Sequence, residues 1–350
     1  MVNGHGKSAL EYSLKGGIMK LSRLIIVIMV AAMGLLCWGC NDNTAVHQQF
    51  DDIYVIYKDY DTRLKKYNIL TESITELCPD PVCDHTHESS CMFLSTAMQI
   101  LVENGVCFLK DGDLYLDEET GQYMLPQSII WYDYVKGNIK VLCTINGTKY
   151  EGLQGRLIYN NGYVYYTVRA SDENETLYKL WRVSIEGGTP ENLDLTTSWI
   201  ADNIIDGWAW YADASGIYKI NINSKETEYI YTSEEGTTIA IYFFDEENGA
   251  YCIEHSRQGS MVMYIKDGKK PKVLLDGTDL SHLRLSGDTL CFQDGDSIFT
   301  YKMNGNKREK MFTPNQEERL SGLWSCGKGV VARYDNETEG TIRFIPIIVN

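Results

Sequence analysis

The stretch NNGYVYYTVRASDENETLYKLWRVSIEGGTPENLDL, residues 160–195, contains the pattern that decides the fold. It opens on an Asn-Gly turn, enters a short strand rich in Tyr and Val, and passes through a polar turn into a second apolar run, TLYKLWRVSI. Gly, Asn and Asp suit tight turns, whereas Tyr, Val and Trp suit half-buried strands. The stretch therefore predicts an antiparallel meander of short strands.

Six other segments repeat this pattern of a turn followed by a strand. They read DDIYVIYKD at 51, ENGVCFLKD at 103, DGWAWYAD at 206, ENGAYCIEH at 247, SGDTLCFQD at 286 and GKGVVARYD at 327. The last four intervals between successive starts are 46, 41, 39 and 41 residues, which is the spacing of propeller blades. Within one strand, Ile217 to Ile222, polar and apolar residues alternate with the period of two that is typical of a strand.

The repeat predicts an all-β fold in which residues 50–350 form a single β-propeller domain. A lone meander cannot bury both of its faces, whereas meanders packed around an axis leave only short protected edges. Seven blades are predicted, with six and eight left open and a stacked pair of β-sandwiches as the rival fold. The first unit lacks an obvious leading strand, so we expect the C-terminal IRFIPIIVN to close the ring beside the N-terminal IYVIY.

The N-terminus carries an export signal. Lys20 and Arg23 precede the apolar run LIIVIMVAAMGLLCWGC, which ends at Cys40, and this order of basic and apolar regions is that of a signal peptide. The final Gly-Cys pair resembles the cleavage point of a bacterial lipoprotein, so Cys40 is the predicted lipidated residue. A plain secretory signal and an uncleaved anchor remain the alternatives.

These features divide the N-terminal region into a signal segment, residues 1–39, and a linker, residues 40–49. Met19 begins MKLSR, which looks like a natural start, and residues 1–18 are interpreted as an over-extended gene start. The predicted location is the cell membrane, where a lipid anchor holds the domain outside the cytoplasm.

Composition and charge narrow the classes of partner. Hydrophobic residues make up 44% of the chain and charged residues 23%, which is typical of a globular protein. The net charge is -16, and no basic stripe is present to neutralise phosphates, so nucleic acid is excluded as a partner. The remaining candidates are an extracellular glycan, a peptide or an envelope protein.

One segment, LCPDPVCDHTHESSC at residues 77–91, has the spacing of a metal site. Its ligand pattern is C-x4-C-x-H-x5-C, with a second histidine as an alternative ligand. Three thiolates and one imidazole would form a closed tetrahedral site, which is structural because no position is left for water. The sequence therefore predicts one structural zinc ion, with no other cofactor. The predicted ligands are Cys78, Cys83, His85 and Cys91, with His87 as the alternative to His85.

A disulfide is the competing interpretation of this segment. Exported proteins commonly oxidise their thiols, and three local cysteines would leave one unpaired. Five further cysteines fall within predicted strands, where we expect them to behave as small buried hydrophobic residues. They are Cys107, Cys143, Cys252, Cys291 and Cys326.

The Cys/His segment and the repeats together resemble a group of lipoproteins from anaerobic, mostly gut-dwelling Firmicutes that carry a domain of unknown function of the DUF5050 type. That group is similar to TolB-like propellers and has a related C-x4-C-x-H segment with a later cysteine. The resemblance extends loosely over residues 50–345. Cys37 departs from the leucine usual three residues before the lipidated cysteine, and His87 is an extra histidine. The resemblance implies surface attachment and a propeller, and it implies no reaction.

No catalytic signature is present: the sequence lacks the nucleophile elbow, the phosphate-binding loop, the dinucleotide fingerprint and the zinc-protease helix motif. His255 and His282 are isolated and are expected at blade edges or in turns. The predicted function is non-catalytic binding or scaffolding, in which propeller loops hold a glycan, peptide or protein. A hydrolase or lyase acting on an extracellular polysaccharide is the alternative, and it predicts converging acidic groups with at least one raised pKa. A sensory or structural envelope component, with an exposed apolar patch, is the third class.

Overall fold

The computed structural model describes residues 54–59, 63–83, 91–94, 96–102, 105–133, 136–148, 152–171, 176–245, 247–326, 329–336 and 338–348. The predicted signal segment, the linker and Cys40 lie outside the described residues. Within the described ranges every regular element is a strand. No helix in this part of the chain has the length and apolar character that crossing a membrane requires.

The described residues form 27 strands in seven sheets, which we call blades 1 to 7 in chain order. Blades 1 to 3 contain β1 (Tyr54–Lys58), β2 (Leu64–Asn68), β3 (Ser73–Glu76), β4 (Thr96–Val102), β5 (Gly105–Asp111), β6 (Tyr115–Leu116), β7 (Tyr123–Asp133), β8 (Ile139–Thr148), β9 (Leu153–Asn160), β10 (Tyr163–Ser171), β11 (Thr176–Ser184) and β12 (Glu191–Thr197). Blades 4 to 7 contain β13 (Asn203–Ile205), β14 (Trp208–Asp213), β15 (Gly216–Asn221), β16 (Thr227–Thr232), β17 (Thr238–Phe244), β18 (Ala250–Ser256), β19 (Gly259–Ile265), β20 (Lys272–Gly277), β21 (Leu280–Ser286), β22 (Thr289–Asp294), β23 (Ser297–Lys302), β24 (Lys307–Phe312), β25 (Glu318–Cys326), β26 (Gly329–Asn336) and β27 (Thr341–Ile348).

Each blade is an antiparallel meander whose strands follow chain order. Blades 3 to 6 have four strands, and blades 1 and 7 have three described strands each. Blade 2 is a meander of β4, β5, β7 and β8, and the two-residue β6 pairs with the beginning of β7. The first strands of neighbouring blades contact each other around most of the ring, and β1 contacts both β4 and β25. Between blades 4 and 5 the contact is made by β14, the second strand of blade 4, with β17. The fold is therefore a seven-bladed propeller, as the repeat predicts, and not a pair of sandwiches.

The hydrophobic core consists of seven separate clusters, one between each pair of adjacent blades. Strand β14 shows how one strand serves two of them. Ala209 and Tyr211 belong to the cluster shared with blade 3, whereas Trp210 belongs to the cluster shared with blade 5. Because successive side chains of a strand point to opposite faces, a blade with two buried faces needs apolar residues at consecutive positions. This requirement explains the runs of Tyr, Val and Trp in the repeat.

The hairpins that join the first two strands of blades 3 and 4 use the predicted turn residues. Asn161 and Gly162 both have positive φ, 49° and 77°, and Asp206 and Gly207 have φ of 50° and 80°. Two successive positive φ angles define the turn whose twist matches that of paired strands, and Asn-Gly and Asp-Gly suit it best. These turns fix the register in which β9 pairs with β10 and β13 pairs with β14.

The ring closes where blade 7 meets blade 1. The Phe344 ring of β27 lies 4.8 Å from the Tyr57 ring centroid and 4.4 Å from that of Tyr67. Arg333 Nη1 donates a hydrogen bond of 2.5 Å to the Lys58 carbonyl oxygen. The terminal strands are therefore close together, as predicted. Within the described residues, however, they stay in separate sheets, so side chains and not a shared sheet make the closure.

Candidate metal centre and central channel

The connection that follows β3 brings three predicted zinc ligands together. The Sγ atoms of Cys78, Cys83 and Cys91, which we call the cysteine cluster, all lie within 4.8 Å of one another. Between the first two, the Asp80 side chain accepts a hydrogen bond from the Val82 amide at 3.0 Å, and the Asp80 carbonyl accepts one from the Cys83 amide at 3.3 Å. This tight turn returns the chain toward Cys78.

The cysteine cluster is fixed to the interface between blades 1 and 2. Cys91 is buried in the cluster of apolar side chains that these blades share, beside Phe93 and Leu94. Lys110 of β5 donates hydrogen bonds to the carbonyl oxygens of Cys91 and Leu94, at 2.9 and 3.3 Å. The connection is therefore held by blade 2 at one end and continues directly from β3 of blade 1 at the other.

The chemistry of the cysteine cluster fits a metal ion. Burial raises the pKa of the Cys78 thiol and raises that of Cys91 to about 12, so the thiols are protonated in the protein alone. A bound cation reverses this preference because the thiolate is the ligand. Zn–S bonds of about 2.3 Å place tetrahedral sulfur ligands about 3.8 Å apart, and the three Sγ atoms all lie within 4.8 Å of one another. These three residues could hold a metal ion.

The two histidines predicted as ligands and the five cysteines outside the cluster differ in what the structure shows of them. His85 and His87 lie outside the described residues, so the fourth ligand stays a prediction. None of the eight cysteines in the described ranges is joined to another of them by a disulfide. The five cysteines expected as buried strand residues are confirmed as such: Cys107, Cys143, Cys252, Cys291 and Cys326.

A second candidate site is a cavity of about 380 Å³ at the innermost strands of blades 2, 3 and 5, which we call the channel cavity. Strands β4, β9 and β17 line it, together with the two residues that begin blade 4. Its wall combines aromatic rings with charged groups. The lining residues are Ile100, Arg156, Leu157, Ile158, Tyr159, Asp202, Asn203, Ile241, Tyr242, Phe243 and Phe244.

An ion pair between blades 3 and 4 lies in the channel cavity. Arg156 Nη2 is 3.2 Å from Asp202 Oδ1, and Asp202 Oδ2 accepts the Ala212 amide hydrogen at 3.0 Å. The Asp202 side chain is only 15% exposed, whereas that of Arg156 is 54% exposed. Burial raises the pKa of Asp202 to about 6, although the Arg156 charge and the Ala212 amide both lower it. Desolvation therefore outweighs the ion pair.

A second arginine, Arg284 of β21, lies close enough to this pair to interact with it electrostatically. Burial lowers the pKa of Arg284, and the positive charge of Arg156 lowers it further. Arg284 Nη1 donates to the Leu283 carbonyl oxygen at 2.7 Å, and no described carboxylate forms an ion pair with it. Burial also lowers the pKa of His282, and Arg284 contributes to this shift. The described groups around the channel cavity therefore carry a net positive charge in an acidic protein.

Sequence reasoning missed the channel residues. They come from different blades, so no local spacing links them. The one available signal is an arginine directly before a leucine in a first strand, as in β9 and β21. The expectation that the isolated histidines occupy blade edges or turns holds for His282, which lies in β21, the edge strand of its sheet, and is wrong for His255. His255 lies in β18, which is paired on both sides, and its Nδ1 is within hydrogen-bonding distance of Ser260 Oγ, at 2.8 Å.

Comparisons with known proteins identify the fold and nothing finer. No family model and no curated protein sequence matches the chain. Among solved structures, an oligogalacturonate lyase in complex with manganese superposes with a TM-score of 0.61 and 10% identity, over 87% of this chain and 88% of that one. The propeller domain of the Trilobed protease from Pyrococcus furiosus gives 0.49 and 7%, over 73% and 83%. Prolyl oligopeptidase B from Galerina marginata gives 0.49 and 7%, over 82% and 47%. The chain thus shares its fold with the lyase, whereas membership of the DUF5050-type group stays a prediction.

Proposed function

We propose that this protein is a non-catalytic binding propeller whose channel cavity holds an anionic ligand. One observation carries the proposal: Arg156 lines the cavity, and only Asp202 among the lining residues is acidic. A second arginine, Arg284, is not a lining residue but interacts electrostatically with two of them, Arg156 and Tyr242. Guanidinium groups recognise carboxylates through paired hydrogen bonds, and they do so best where water is scarce. Because the whole chain has a net charge of -16, a local excess of positive charge at this cavity distinguishes it from the rest of the protein.

The aromatic wall of the cavity favours a glycan over a simple ion. Tyr242, Phe243 and Phe244 line the cavity and are half-buried, and the rings of the two phenylalanines also pack against Tyr251 and Trp210. Ligand sites commonly combine apolar and aromatic walls with a few polar groups that fix the ligand's orientation. We therefore propose a carboxylated glycan as the ligand class. The oligogalacturonate of the lyase described above is such a glycan, and it supplies a first probe although the two chains share only the fold.

A lyase or hydrolase acting on an extracellular polysaccharide is the second candidate, and Asp202 favours it. A raised carboxyl pKa in a cavity is the property expected of a general acid or base near neutral pH. Only one acidic group lines the channel cavity, however, and a glycosidase normally uses two. The binding function therefore stands first.

Isothermal titration calorimetry with oligogalacturonate as the ligand tests the proposal. The wild-type protein should bind oligogalacturonate and not a neutral malto-oligosaccharide of the same length. Arg284→Gln should weaken binding tenfold or more, because it removes a charged hydrogen-bond donor. Lys179→Gln, which removes an exposed cation of β11, is the matched control and should bind as the wild type does.

Equal binding of the charged and neutral glycans, or unchanged binding by Arg284→Gln, would contradict the proposal. Shortening of the oligogalacturonate during the titration would instead support the enzyme.

The proposal also includes a place for the protein and a role for the cysteine cluster. We propose that Cys40 is lipidated and anchors the propeller outside the cytoplasm, so Cys40→Ala should release the protein from membranes.

We propose further that the cysteine cluster, with His85 or His87, holds one structural zinc ion. The cysteine cluster belongs to the interface of blades 1 and 2 and shares no residue with the lining of the channel cavity, which supports a structural role over a catalytic one.

A further inference from the structure

A larger cavity, of about 730 Å³, lies between blades 4 and 5 and has no lining residue in common with the channel cavity. We call it the blade 4–5 groove. The connection from β16 to β17 forms one side, and β18, β19 and β20 form the other. The hydrophobic part of its wall is made by Tyr231, Met261, Met263, Pro271 and Val273.

Glu254 of β18 is the group in this groove that needs an explanation. It lines the groove although the residue is only 4% exposed. Tyr231 donates its hydroxyl to the carboxylate, at 3.0 Å from Oε1 and 3.1 Å from Oε2, and Thr237 Oγ1 lies 3.3 Å from Oε1. No described cation forms an ion pair with Glu254.

The Thr237 hydroxyl donates at 2.7 Å to the Glu234 carbonyl oxygen, so the Tyr231 hydroxyl is the main donor to Glu254, and it offsets only part of the cost of burying a charge. A buried carboxylate normally has a cationic partner, because neutral hydrogen bonds replace water incompletely. Burial, together with the hydrogen bond and charge of Glu254, raises the pKa of Tyr231 to about 12, so this hydroxyl remains a donor and supplies no positive charge. Because Glu254 lines the groove, the open space of the groove can accommodate a cation that balances its charge.

The remaining walls match one kind of ligand. Glu234 and Glu235 are exposed at the groove and add negative charge. Met and Val side chains and an aromatic ring can enclose an aliphatic stem, and a tyrosine ring also attracts a cation. Arg257 is the one cation among the residues that line the groove, and it is exposed on the β18–β19 turn.

We infer that the blade 4–5 groove binds an ammonium or guanidinium group carried on an aliphatic stem, with Glu254 as its counter-charge. A lysine or arginine side chain of a peptide has this chemistry, and so does a free aliphatic amine. The competing arrangement within the chain itself is an inward movement of Arg257 that pairs it with Glu254.

The probe is Nα-acetyl-lysine amide, added to the full chain and followed by saturation-transfer NMR and calorimetry. The charged compound should bind, whereas its Nε-acetylated form, which lacks the ammonium charge, should not. Glu254→Gln keeps the size and hydrogen-bonding capacity of the side chain and should weaken binding tenfold or more. Asp202→Asn, in the channel cavity, should bind the lysine compound normally, so failure of the glycan proposal leaves this inference intact.

Two further measurements keep the inference falsifiable. Should Glu254→Gln fail to fold, Tyr231→Phe removes the hydroxyl that positions the carboxylate, keeps the ring, and should weaken binding severalfold. Arg257→Gln should bind the probe at least as tightly as the wild type, since it removes a competitor. Tighter binding of 1,5-diaminopentane than of the lysine compound would indicate a free amine as the natural ligand, and the reverse order a peptide. Equal binding of the charged and acetylated compounds, or full binding by both Glu254→Gln and Tyr231→Phe, would overturn the inference.

Discussion

Single residues in this propeller show that a polar position is not necessarily an exposed one. Lys219 occupies a polar position in the alternating run of β15, yet it is only 7% exposed. Its Nζ lies 4.5 Å from the centroid of the Trp208 ring, 2.9 Å from Glu228 Oε2 and 2.5 Å from Asp267 Oδ2 of the next blade. The two ion pairs and the Trp208 ring offset the desolvation of the Lys219 ammonium group. A propeller strand with two neighbours thus buries both faces, and its polar residues need partners.

Asp202 lacks sufficient compensation, and its pKa of about 6, against an ordinary value of 3.8, predicts a dependence of stability on pH. A carboxyl with a raised pKa in the folded state costs nothing while it is protonated, and the cost develops as pH rises from about 4 through about 6. One pH unit corresponds to about 1.4 kcal/mol, so ionised Asp202 costs on the order of 2 to 3 kcal/mol. Relative to the wild type, Asp202→Asn should gain that stability between pH 4 and pH 7.

Urea unfolding at several pH values measures this difference. Asp206→Asn is the matched control, because Asp206 lies nearby on an exposed turn and has a positive φ that asparagine tolerates. Asp202→Asn should gain more stability between pH 4 and pH 7 than this control does. A constant difference between Asp202→Asn and the wild type across this range would show that Asp202 is ionised without cost.

At the scale of elements, the connection from β3 to β4 is anchored by buried residues at both ends, and its sequence between Cys78 and Cys91 is mostly polar. It contains two prolines and several polar residues, and the cysteine cluster joins its ends. Structural zinc sites contribute about 10–16 kcal/mol at neutral pH, which is ample to order such a segment. Reduced protein should therefore contain about one equivalent of zinc, and Cys83→Ser should lose it and become sensitive to protease between Cys78 and Cys91.

Cys143→Ser is the control for this experiment. Cys143 lies in β8 outside the cluster, beside the Tyr166 hydroxyl, where a serine can also form a hydrogen bond. This variant should keep its zinc. Zinc retained by Cys83→Ser would exclude the cysteine cluster as the site, and two oxidised cysteines in the native protein would favour the disulfide.

The same elements show how far the sequence could predict this molecule. Turn residues, strand composition and a period near 40 residues are local properties, so the seven blades and the cysteine cluster could be predicted. Arg156, Asp202 and Arg284 meet only because three separate blades bring their first strands to the axis, and Glu254 faces the groove only because blade 5 packs on blade 4. Such juxtapositions depend on the packing of whole sheets, which no local pattern records.

For the whole molecule, the joint between blades 7 and 1 is the special interface of the ring. The described strands of each blade are consecutive in the chain, so no sheet contains strands from both ends. A sheet that contains strands from both ends of the chain can hold a ring closed, because backbone hydrogen bonds then cross the joint. Here the joint depends on Phe344, packed on two tyrosines, and on the hydrogen bond from Arg333 to blade 1.

Truncation of the closing side chain should therefore open the ring locally. Phe344→Ala should cost about 3–5 kcal/mol, the usual range for a buried phenylalanine, and amide hydrogen exchange should accelerate first in blades 1 and 7. Phe292→Ala removes a fully buried ring between blades 5 and 6 and is the control. It should cost a similar free energy without selective exchange at the joint, because both of its blades have four strands and continuous chain on either side. Exchange that accelerates evenly around the ring in Phe344→Ala would mean that the closure is no weaker than the other six interfaces.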